Sequence, residues 1–290
     1  MGIAYQDIIP LHRLDELTND GYQIDRVECV PRGLEEAILL GTHRDDHYIF
    51  LLQESGFSRF MVDFSVFTME GNAIFYVLPG QVHCYIEAKM ETAGWFLALD
   101  TRLVPDVLRT VLEDPLLVKT PLPMTAEAWE PVTQCLGLLH AISQKEPSIY
   151  NRHAVYGLIS SFVALFTALY TGRPGTTPGT MTRPFMITQS FKRLLLRQYK
   201  DNKSPVEYAN TLNISLSYLN EVVKATTGQS VSNLIQQEVM LEAKRLLYHS
   251  DCSVKEVAHA LGYDDHAYFS RLFKKAVGAT PGEFRRQYRE

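Results

Sequence analysis

The most constraining feature of this chain is a residue pattern that occurs twice near the C-terminus. The first copy runs from Ser204 to Gly228 and the second from Ser253 to Gly278. The first halves of the copies align at an offset of 49 residues, and the second halves align at 50 after one extra residue in the second turn. Because chance would have to produce the pattern twice, a repeat is a stronger indication than a single motif. The chain therefore contains two copies of one structural unit.

Each copy has the pattern of two short helices joined by a tight turn. Ser204 and Ser253 each precede a glutamate by three residues, as in a capping box. Asn213 and Gly262 follow the first helices, and both residue types tolerate the positive φ of a tight turn. Apolar residues at helical spacing give each helix one buried face. They are Pro205, Tyr208, Ala209, Leu212, Leu219, Val222 and Val223 in the first copy and Val254, Val257, Ala258, Leu261, Phe269, Leu272 and Phe273 in the second.

The second helix of each copy has a polar face opposite its apolar face. An α-helix fits the major groove of DNA with its N-terminal residues at the base edges. We therefore predict that these faces dock on double-stranded DNA. The predicted DNA-binding residues are Ser215, Ser217, Tyr218, Asn220, Glu221 and Lys224 in the first copy and Asp265, His266, Ala267, Ser270, Arg271 and Lys274 in the second.

The residue types within this set predict different roles. Asn220 is predicted to pair with adenine, Glu221 to accept a hydrogen bond from cytosine, and His266 to contact an acceptor. The cations are better placed for phosphates, which position a protein without specifying a sequence. These cations are Lys224, Arg271 and Lys274.

A continuous helix is predicted between the copies, from about Val231 to His249. Its 19 residues span about 28 Å at about 1.5 Å each, and successive major-groove faces lie about 34 Å apart. The length therefore suits two units that read adjacent turns on one side of DNA. A further helix is predicted before the repeat, from Ile187 to Lys200, and a last one follows Thr280.

The charge of the chain is unevenly divided. The formal net charge is −5, but residues 183–290 hold 16 Lys+Arg and 11 Asp+Glu, a net of +5. Residues 1–182 therefore hold 12 and 22, a net of −10. This division indicates that only the basic half meets phosphate. The Gly-, Pro- and Thr-rich stretch 172–184 is predicted to be a linker, which gives two predicted domains, 1–171 and 185–290.

Residues 48–99 have the pattern of several short β-strands. Runs rich in Phe, Ile, Val and Tyr are separated by Gly, Pro, Asn and polar residues. Part of residues 58–67 alternates between polar and apolar, which favours a strand with one buried face. The spacing predicts a small barrel or sandwich. Whether its aromatic residues line a ligand pocket or fill the core is left open.

Beyond residue 100 the pattern becomes helical, with two longer helices predicted at about 126–144 and 148–170. Residues 154–172 carry no charge and are long enough for a membrane span. Their hydroxyl-bearing residues and moderate apolar content favour a helix buried on most faces, and no membrane association is expected. One face of this helix is predicted to pack against a second chain. The predicted dimerisation residues are Val155, Leu158, Ile159, Phe162 and Phe166.

Two parts of the chain resemble known families. The stretch ALGYDDHAYFSRLFKKAVGATPGEFR, at 260–285, is similar to the signature of the AraC/XylS family of bacterial transcriptional regulators, and the resemblance covers 187–288. It implies a seven-helix DNA-binding domain, dimerisation through the N-terminal part and activation through RNA polymerase. Many members have a basic residue in the first recognition helix where this chain has Glu221. The operator sequence of a relative therefore does not predict the operator of this chain.

The stretches HRDDHYIFLLQESG and LPGQVH resemble the cupin-type β-barrel of bacterial sensor domains. The resemblance implies that His43, His47, Glu54 and His83 are the counterparts of a cupin metal set. Three imidazoles and a carboxylate would suit a divalent metal if they converged. The spacing between His43 and His47 is two residues longer than in a metal cupin. We therefore expect polar residues at barrel rims and turns, and we predict no metal or other cofactor.

Together these observations predict an α+β multidomain transcriptional regulator that binds DNA in a sequence-specific way. Its parts are an N-terminal cupin-like β-barrel with a helical dimerisation pair and a C-terminal all-α domain with two helix-turn-helix units. We predict a homodimeric, effector-modulated activator and not an enzyme. The four cysteines form no CxxC pair and the N-terminus has no long apolar run, so a cytoplasmic location is expected. Two alternatives stay open: a metal-binding cupin enzyme fused to a DNA-binding domain, and a ligand-independent regulator.

Overall fold

The computed structural model of the chain describes residues 9–27, 41–89, 91–113, 120–146, 148–171 and 182–289. Contacts between them define two compact units, 10–171 and 182–289. The first unit combines sheets with helices and the second is helical, so the predicted α+β class is confirmed. Most of the predicted linker lies outside the described residues. Its last two residues, Arg183 and Pro184, instead begin a helix whose N-cap is Thr182.

The first unit is built on two β-sheets. Its described strands are β1 (Leu11–His12), β2 (Tyr22–Val27), β3 (His43–Asp45), β4 (Tyr48–Ser55), β5 (Phe57–Val62), β6 (Ser65–Glu70), β7 (Ala73–Val77), β8 (Val82–Ala88), β9 (Ala93–Leu99) and β10 (Leu122–Pro123). The first sheet has the strand order β1-β3-β8-β5-β6, and the second has the order β10-β7-β4-β9-β2. All pairs are antiparallel except β1 with β3.

Aromatic side chains join the two sheets. Phe60 and Phe67 of the first sheet contact Phe75 of the second, with ring centroids 4.9 and 5.0 Å apart. Such ring pairs add to the stabilisation that burial of their apolar area provides. The opposite face of the second sheet is buried as well, and β7 is therefore buried at every position. A strand covered on both faces has no polar alternation, which explains its sequence AIFYV.

The described helices of the first unit are α1 (Leu14–Leu17), a short 3-10 helix (Thr101–Leu103), α2 (Asp106–Leu112), α3 (Ala126–Ser143) and α4 (Ile149–Thr171). Helices α3 and α4 cover the outer face of the second sheet. The ring of Phe50 in β4 lies 5.5 Å from that of Phe162 and 4.9 Å from that of Phe166, between centroids. The hydroxyl of Tyr170 donates to the carbonyl of Ile74 at 3.0 Å.

The predicted dimerisation face is wrong, because its residues pack inside their own chain. Val155, Ile159, Phe162 and Phe166 are fully buried in the core beneath the second sheet, and Leu158 packs against the same core. Among the described helices, α4 is long and apolar enough to cross a membrane, judged by length and composition only. The apolar residues of α4 form a buried stripe that packs on the sheet, as in the core helix of a folded domain.

The second unit consists of seven helices within 182–289, as the family resemblance implied. They are α5 (Arg183–Gln198), α6 (Pro205–Thr211), α7 (Leu216–Thr227), α8 (Val231–His249), α9 (Val254–Ala260), α10 (His266–Val277) and α11 (Pro281–Arg289). We call α6 and α7 the first helix pair, α9 and α10 the second helix pair, and α8 the connecting helix. The predicted bounds of the connecting helix are confirmed. Helix α5 begins four residues earlier than predicted.

The predicted turns and caps are confirmed with one exception. Asn213 and Gly262 have φ values of 55° and 72°. Ser253 forms the predicted capping box, whereas Ser204 makes no side-chain cap bond. The backbone N–H of Ser204 instead donates to Oδ1 of Asn202 at 2.9 Å. That N–H is the group a capping-box glutamate would have bound, so the capping box of the first pair does not form.

Candidate functional site

The exposed face of α7 carries most of the residues predicted for the first helix pair. Ser217, Glu221 and Lys224 are exposed, and Tyr218 is half-buried. Ser215 is the N-cap of the helix, and its hydroxyl accepts the N–H of Tyr218 at 3.2 Å. This cap satisfies a backbone N–H in the first turn of α7, which has no partner within the helix.

Asn220 has a structural role that the sequence did not reveal. Its Oδ1 accepts the backbone N–H of Val231 at 3.3 Å, and its Nδ2 donates to the carbonyl of Leu216 at 3.2 Å. Val231 is the first residue of the connecting helix and is fully buried. An N–H in the first turn of a helix has no partner within that helix, so Asn220 supplies one and ties α7 to α8. Pairing with adenine would require these bonds to be exchanged.

The exposed face of α10 carries the residues predicted for the second helix pair. His266, Ala267, Arg271 and Lys274 are exposed, and the half-buried Ser270 donates to the carbonyl of His266 at 2.8 Å. Because the hydroxyl donates to a carbonyl four residues earlier, its oxygen is still able to accept a hydrogen bond from a ligand.

Asp265 is the N-cap of α10. One carboxylate oxygen accepts the N–H of Ala267 at 2.8 Å and that of Tyr268 at 3.1 Å. These backbone bonds hold the pKa of Asp265 below its usual range. Beside the cap, the guanidinium of Arg271 lies 5.9 Å from the ring of Tyr268, which is 48% exposed. An aromatic ring and a cation thus lie side by side on the exposed surface of α10.

The turn of the second helix pair sits against the end of α5. A Cβ on Gly262 would lie 2.3 Å from the carbonyl oxygen of Lys200, so only glycine fits there. Next to it, Nζ of Lys203 donates to the same carbonyl at 2.8 Å and lies 4.7 Å from the ring of Tyr263. Burial lowers the pKa of Lys203. The sequence pattern accounted for Gly262 only by its positive φ and did not predict its close packing against the carbonyl of Lys200.

A buried carboxylate of the connecting helix contacts a partly exposed lysine just beyond the end of α5. Glu242 is fully buried, and its carboxylate lies 3.3 Å from Nη1 of Arg245 and 3.8 Å from Nζ of Lys200. Removing one partner of a buried ion pair is costly because the other charge is left uncompensated. Lys200 thus contacts both the connecting helix, through Glu242, and the turn at Gly262, through its carbonyl.

The two exposed faces differ in charge. Helix α7 contains one Glu and one Lys, a net of zero, whereas α10 contains one Arg and two Lys, a net of +3. Exposed cations along a helix attract phosphates. The second face is therefore better suited to hold a nucleic-acid backbone.

Comparison with known proteins assigns a family to this unit. Residues 208–287 match a helix-turn-helix domain family. The second unit is an AraC-type helix-turn-helix domain. The chain is 30% identical over 142 residues to the HTH-type transcriptional regulator YfiF of Bacillus subtilis, covering 48% of this chain and 43% of that one. It is 32% identical over 114 residues to the HTH-type transcriptional regulator YijO of Escherichia coli, covering 39% and 40%.

The chain thus spans less than half the length of these curated relatives. Among solved structures, the C-terminal domain of AraT, a response regulator from Geobacillus stearothermophilus, is 30% identical, with a TM-score of 0.35. That match covers 37% of this chain and 88% of the solved chain. The family match, at 208–287, lies within the second unit.

The residues predicted as a cupin metal set are found outside this domain, and the structure divides them. Glu54 lies apart from the histidines: it forms two bonds of 2.6 Å to Arg26 and accepts from Nε1 of Trp95 at 3.1 Å. The histidines lie at strand ends and in a turn: His43 begins β3, His47 follows β3 and His83 is near the start of β8. All three are buried around Asp45. Burial and the neighbouring His83 lower the pKa of His43 to about 4. Its imidazole is therefore neutral near pH 7.

Proposed function

We propose that the chain is a transcriptional regulator that reads a specific double-stranded DNA sequence through two helix-turn-helix units. The supporting observation is that α7 and α10 each expose a polar face while the opposite face is buried against a shared connecting helix. The named relatives of the AraC-type domain are transcriptional regulators.

The rigidity of the domain supports simultaneous reading by both pairs. The connecting helix has 19 residues, or about 28 Å, which is close to the about 34 Å between major-groove faces on one side of DNA. Asn220 attaches α7 to one end of it. At the other end, Arg285 of α11 donates to the carbonyls of Leu247 and Cys252. We infer that the two recognition helices keep a constant separation.

The sheet-rich unit is proposed to be a cupin-like sensor that modulates the DNA-binding domain in the cytoplasm, in a homodimer. Effector binding would favour one arrangement of the regulator on DNA and so alter its activity. The regulator would activate transcription through RNA polymerase. A dimer would have to use a face other than the predicted one. Leu138, Tyr156 and Leu165 are exposed on the outer side of α3 and α4 and are available for this contact.

The decisive experiment is selection of bound DNA from a random pool with the full chain. We expect a bipartite consensus whose halves are separated by about one helical turn. Gel shifts at fixed salt then compare the consensus with a version in which five base pairs are inserted between the halves. The insertion moves the halves to opposite sides of the duplex and should abolish specific binding. Equal binding to both versions, or no enriched sequence, would overturn the proposal.

A further inference from the structure

One lysine joins the start of the first helix pair to the turn of the second. Lys203 lies between α5 and Ser204, the N-cap of α6. Its Nζ donates to the carbonyl of Lys200 at 2.8 Å. The same Nζ lies 4.7 Å from the ring centroid of Tyr263, in the turn between α9 and α10. A cation is thus placed between the end of α5 and the turn of the second pair.

The turns of the two helix pairs share a backbone bond but differ in the side chain that they present. The N–H of Tyr263 donates to the carbonyl of Ala258 at 2.9 Å. At the equivalent position of the first pair, the N–H of Ile214 donates to the carbonyl of Ala209 at 3.1 Å. An aromatic ring attracts a cation through its negative face, and an isoleucine side chain has no such face. The contact with Lys203 therefore belongs to the sequence of the second pair and not to the repeated backbone.

The ring of Tyr263 lies against the recognition helix of the second pair. Its centroid is 5.4 Å from that of Phe269, which is fully buried, and 6.3 Å from that of Tyr268, which is exposed. The guanidinium of Arg271 lies 5.9 Å from the Tyr268 ring. Because closely packed side chains transmit displacements, a shift of the Tyr263 ring would move the N-terminal half of α10 and the exposed side chains that it carries.

We propose that Lys203 is a positioning residue for DNA reading by the second helix pair, and that it acts by holding the ring of Tyr263 against α10. This role rests on the proposed function, because Lys203 orients a reading helix only if α10 reads DNA. A cation over an aromatic ring contributes more where water is partly excluded, and both residues are half-buried. Gly262 packs on the carbonyl of Lys200 to which Lys203 also donates. One short segment therefore holds both the backbone and a side chain of the turn.

A positioning role for Lys203 differs measurably from a contact between its ammonium and a DNA phosphate. Phosphate contacts carry no sequence information, so their loss weakens binding to every sequence by the same factor. Loss of a positioning contact weakens only the half of the DNA site that the second pair reads. The preference for each half of the site, taken separately, therefore distinguishes the two roles.

The test compares variants of the full chain on the bipartite DNA site obtained by selection. The probes are the intact site and two versions in which one half is replaced by unselected sequence. Hydroxyl-radical footprints of the Arg271→Ala variant identify the half that the second pair contacts, because protection is reduced there. Each preference is the ratio of affinities for the intact site and for one altered version. The folded fraction of a sample cancels in this ratio, so partial unfolding of a variant does not imitate the effect.

Lys203→Met keeps an apolar side chain and removes the ammonium. It should weaken binding to the intact site by about 3- to 30-fold, the effect of one partly desolvated cation over a ring. Its preference for the second pair's half should fall by the same factor, and its preference for the other half should stay unchanged. Lys203→Arg should bind within about twofold of the original chain, because a guanidinium also stacks on an aromatic face.

Lys89→Met is the matched control. Nζ of Lys89, in the first unit, lies 5.0 Å from the ring of Phe57, so this substitution removes the same charge and the same kind of contact away from the helix pairs. Both preferences and the affinity for the intact site should stay within about twofold of the original values.

A double-mutant cycle shows whether Lys203 acts through the ring. Tyr263→Leu should lower the preference for the same half, and combining it with Lys203→Met should add no further loss, because both changes remove one contact. Additive losses, an equal loss on all three probes, or full binding by Lys203→Met would overturn the positioning role. A selection that enriches no sequence would instead overturn the proposed function itself, so the two failures are distinguishable.

Discussion

The two helix pairs of the AraC-type domain share a backbone plan but use their polar side chains differently. In the first pair, Asn220 bonds inward to the connecting helix, and the exposed face of α7 has no net charge. In the second pair, Ser270 at the equivalent position bonds only within its own helix, and α10 carries a net charge of +3. We therefore propose that the second pair holds the DNA backbone while the first contributes more to discrimination.

The helix that follows each pair explains why these positions differ. The offset of 50 residues continues beyond the repeat, so Val231 of α8 corresponds to Pro281 of α11. Val231 has a buried N–H that needs a partner, and Asn220 provides it. Proline has no N–H to satisfy. The equivalent residue of the second pair, Ser270, is therefore free of this requirement.

The largest difference should appear between two glycines of the helix pairs, Gly262 in the turn of the second pair and Gly228 at the end of α7 in the first. Gly262→Ala combines a positive φ with a contact of 2.3 Å to the carbonyl of Lys200, whereas Gly228 has a φ of 73° and open space around its Cβ position. We expect Gly228→Ala to lower the free energy of unfolding by about 1–2 kcal/mol and Gly262→Ala by more than about 3 kcal/mol. Urea denaturation measures both, and equal losses would mean that the contact with α5 adjusts freely.

The next difference concerns Asn220 and Ser270. Asn220→Ala leaves the buried N–H of Val231 without its bond, which should cost about 1–3 kcal/mol of unfolding free energy. Ser270→Ala should cost less than about 0.5 kcal/mol, because its hydroxyl bonds only to its own helix.

DNA selection with the Asn220→Ala variant separates its two roles. A changed base preference at one position would support the adenine contact predicted from the sequence. Weaker binding with the same preference would show that Asn220 acts by holding α7 on the connecting helix.

Charge should distinguish the pairs in the salt dependence of DNA binding. Lys274→Ala should lower affinity evenly across sequences and reduce the slope of log affinity against log salt by about one. Lys224→Ala should change the slope less, because Glu221 one turn earlier already reduces the local positive potential. Gel shifts from about 50 to 200 mM salt measure both slopes. A larger effect of Lys224→Ala would reverse the assignment of the second pair to the backbone.

The smallest expected difference is in the response to acid. Hydrogen bonds from the backbone lower the pKa of Asp265 in the folded chain, so the folded state binds this proton more weakly than the unfolded state. The stabilisation is present above the ordinary aspartate pKa and is lost as pH falls through the lowered value. Asp265→Asn keeps the cap without the charge. Its urea midpoint should therefore fall less between pH 6 and 3 than that of the original chain.

Local patterns predicted much of the helical unit. Caps and apolar spacing act within one or two turns, and so the bounds of the connecting helix and the turn at Asn213 were correct. The repeat identified both helix pairs for the same reason. Ser204 shows the limit of this reasoning: a neighbouring side chain, Asn202, took the N–H that the capping box required.

Contacts between distant residues were predicted less well, because register decides them. In α4 the apolar periodicity showed which residues form a stripe but not whether the stripe meets its own sheet or a second chain. Among the histidines, the family pattern pointed to Glu54, which pairs with Arg26 instead. The pairing of β1 with β3 brings His12 to Asp45, and this follows from the register of the two strands.

The sequence by itself determined that two copies of one helical unit are joined by a helix of set length, because helix propensity, caps and spacing are properties of neighbouring residues. Only the tertiary structure decided where the remaining polar groups are used. Asn220, Gly262 and Asp45 each depend on a partner in another element. A buried polar group must find that partner wherever the fold places it.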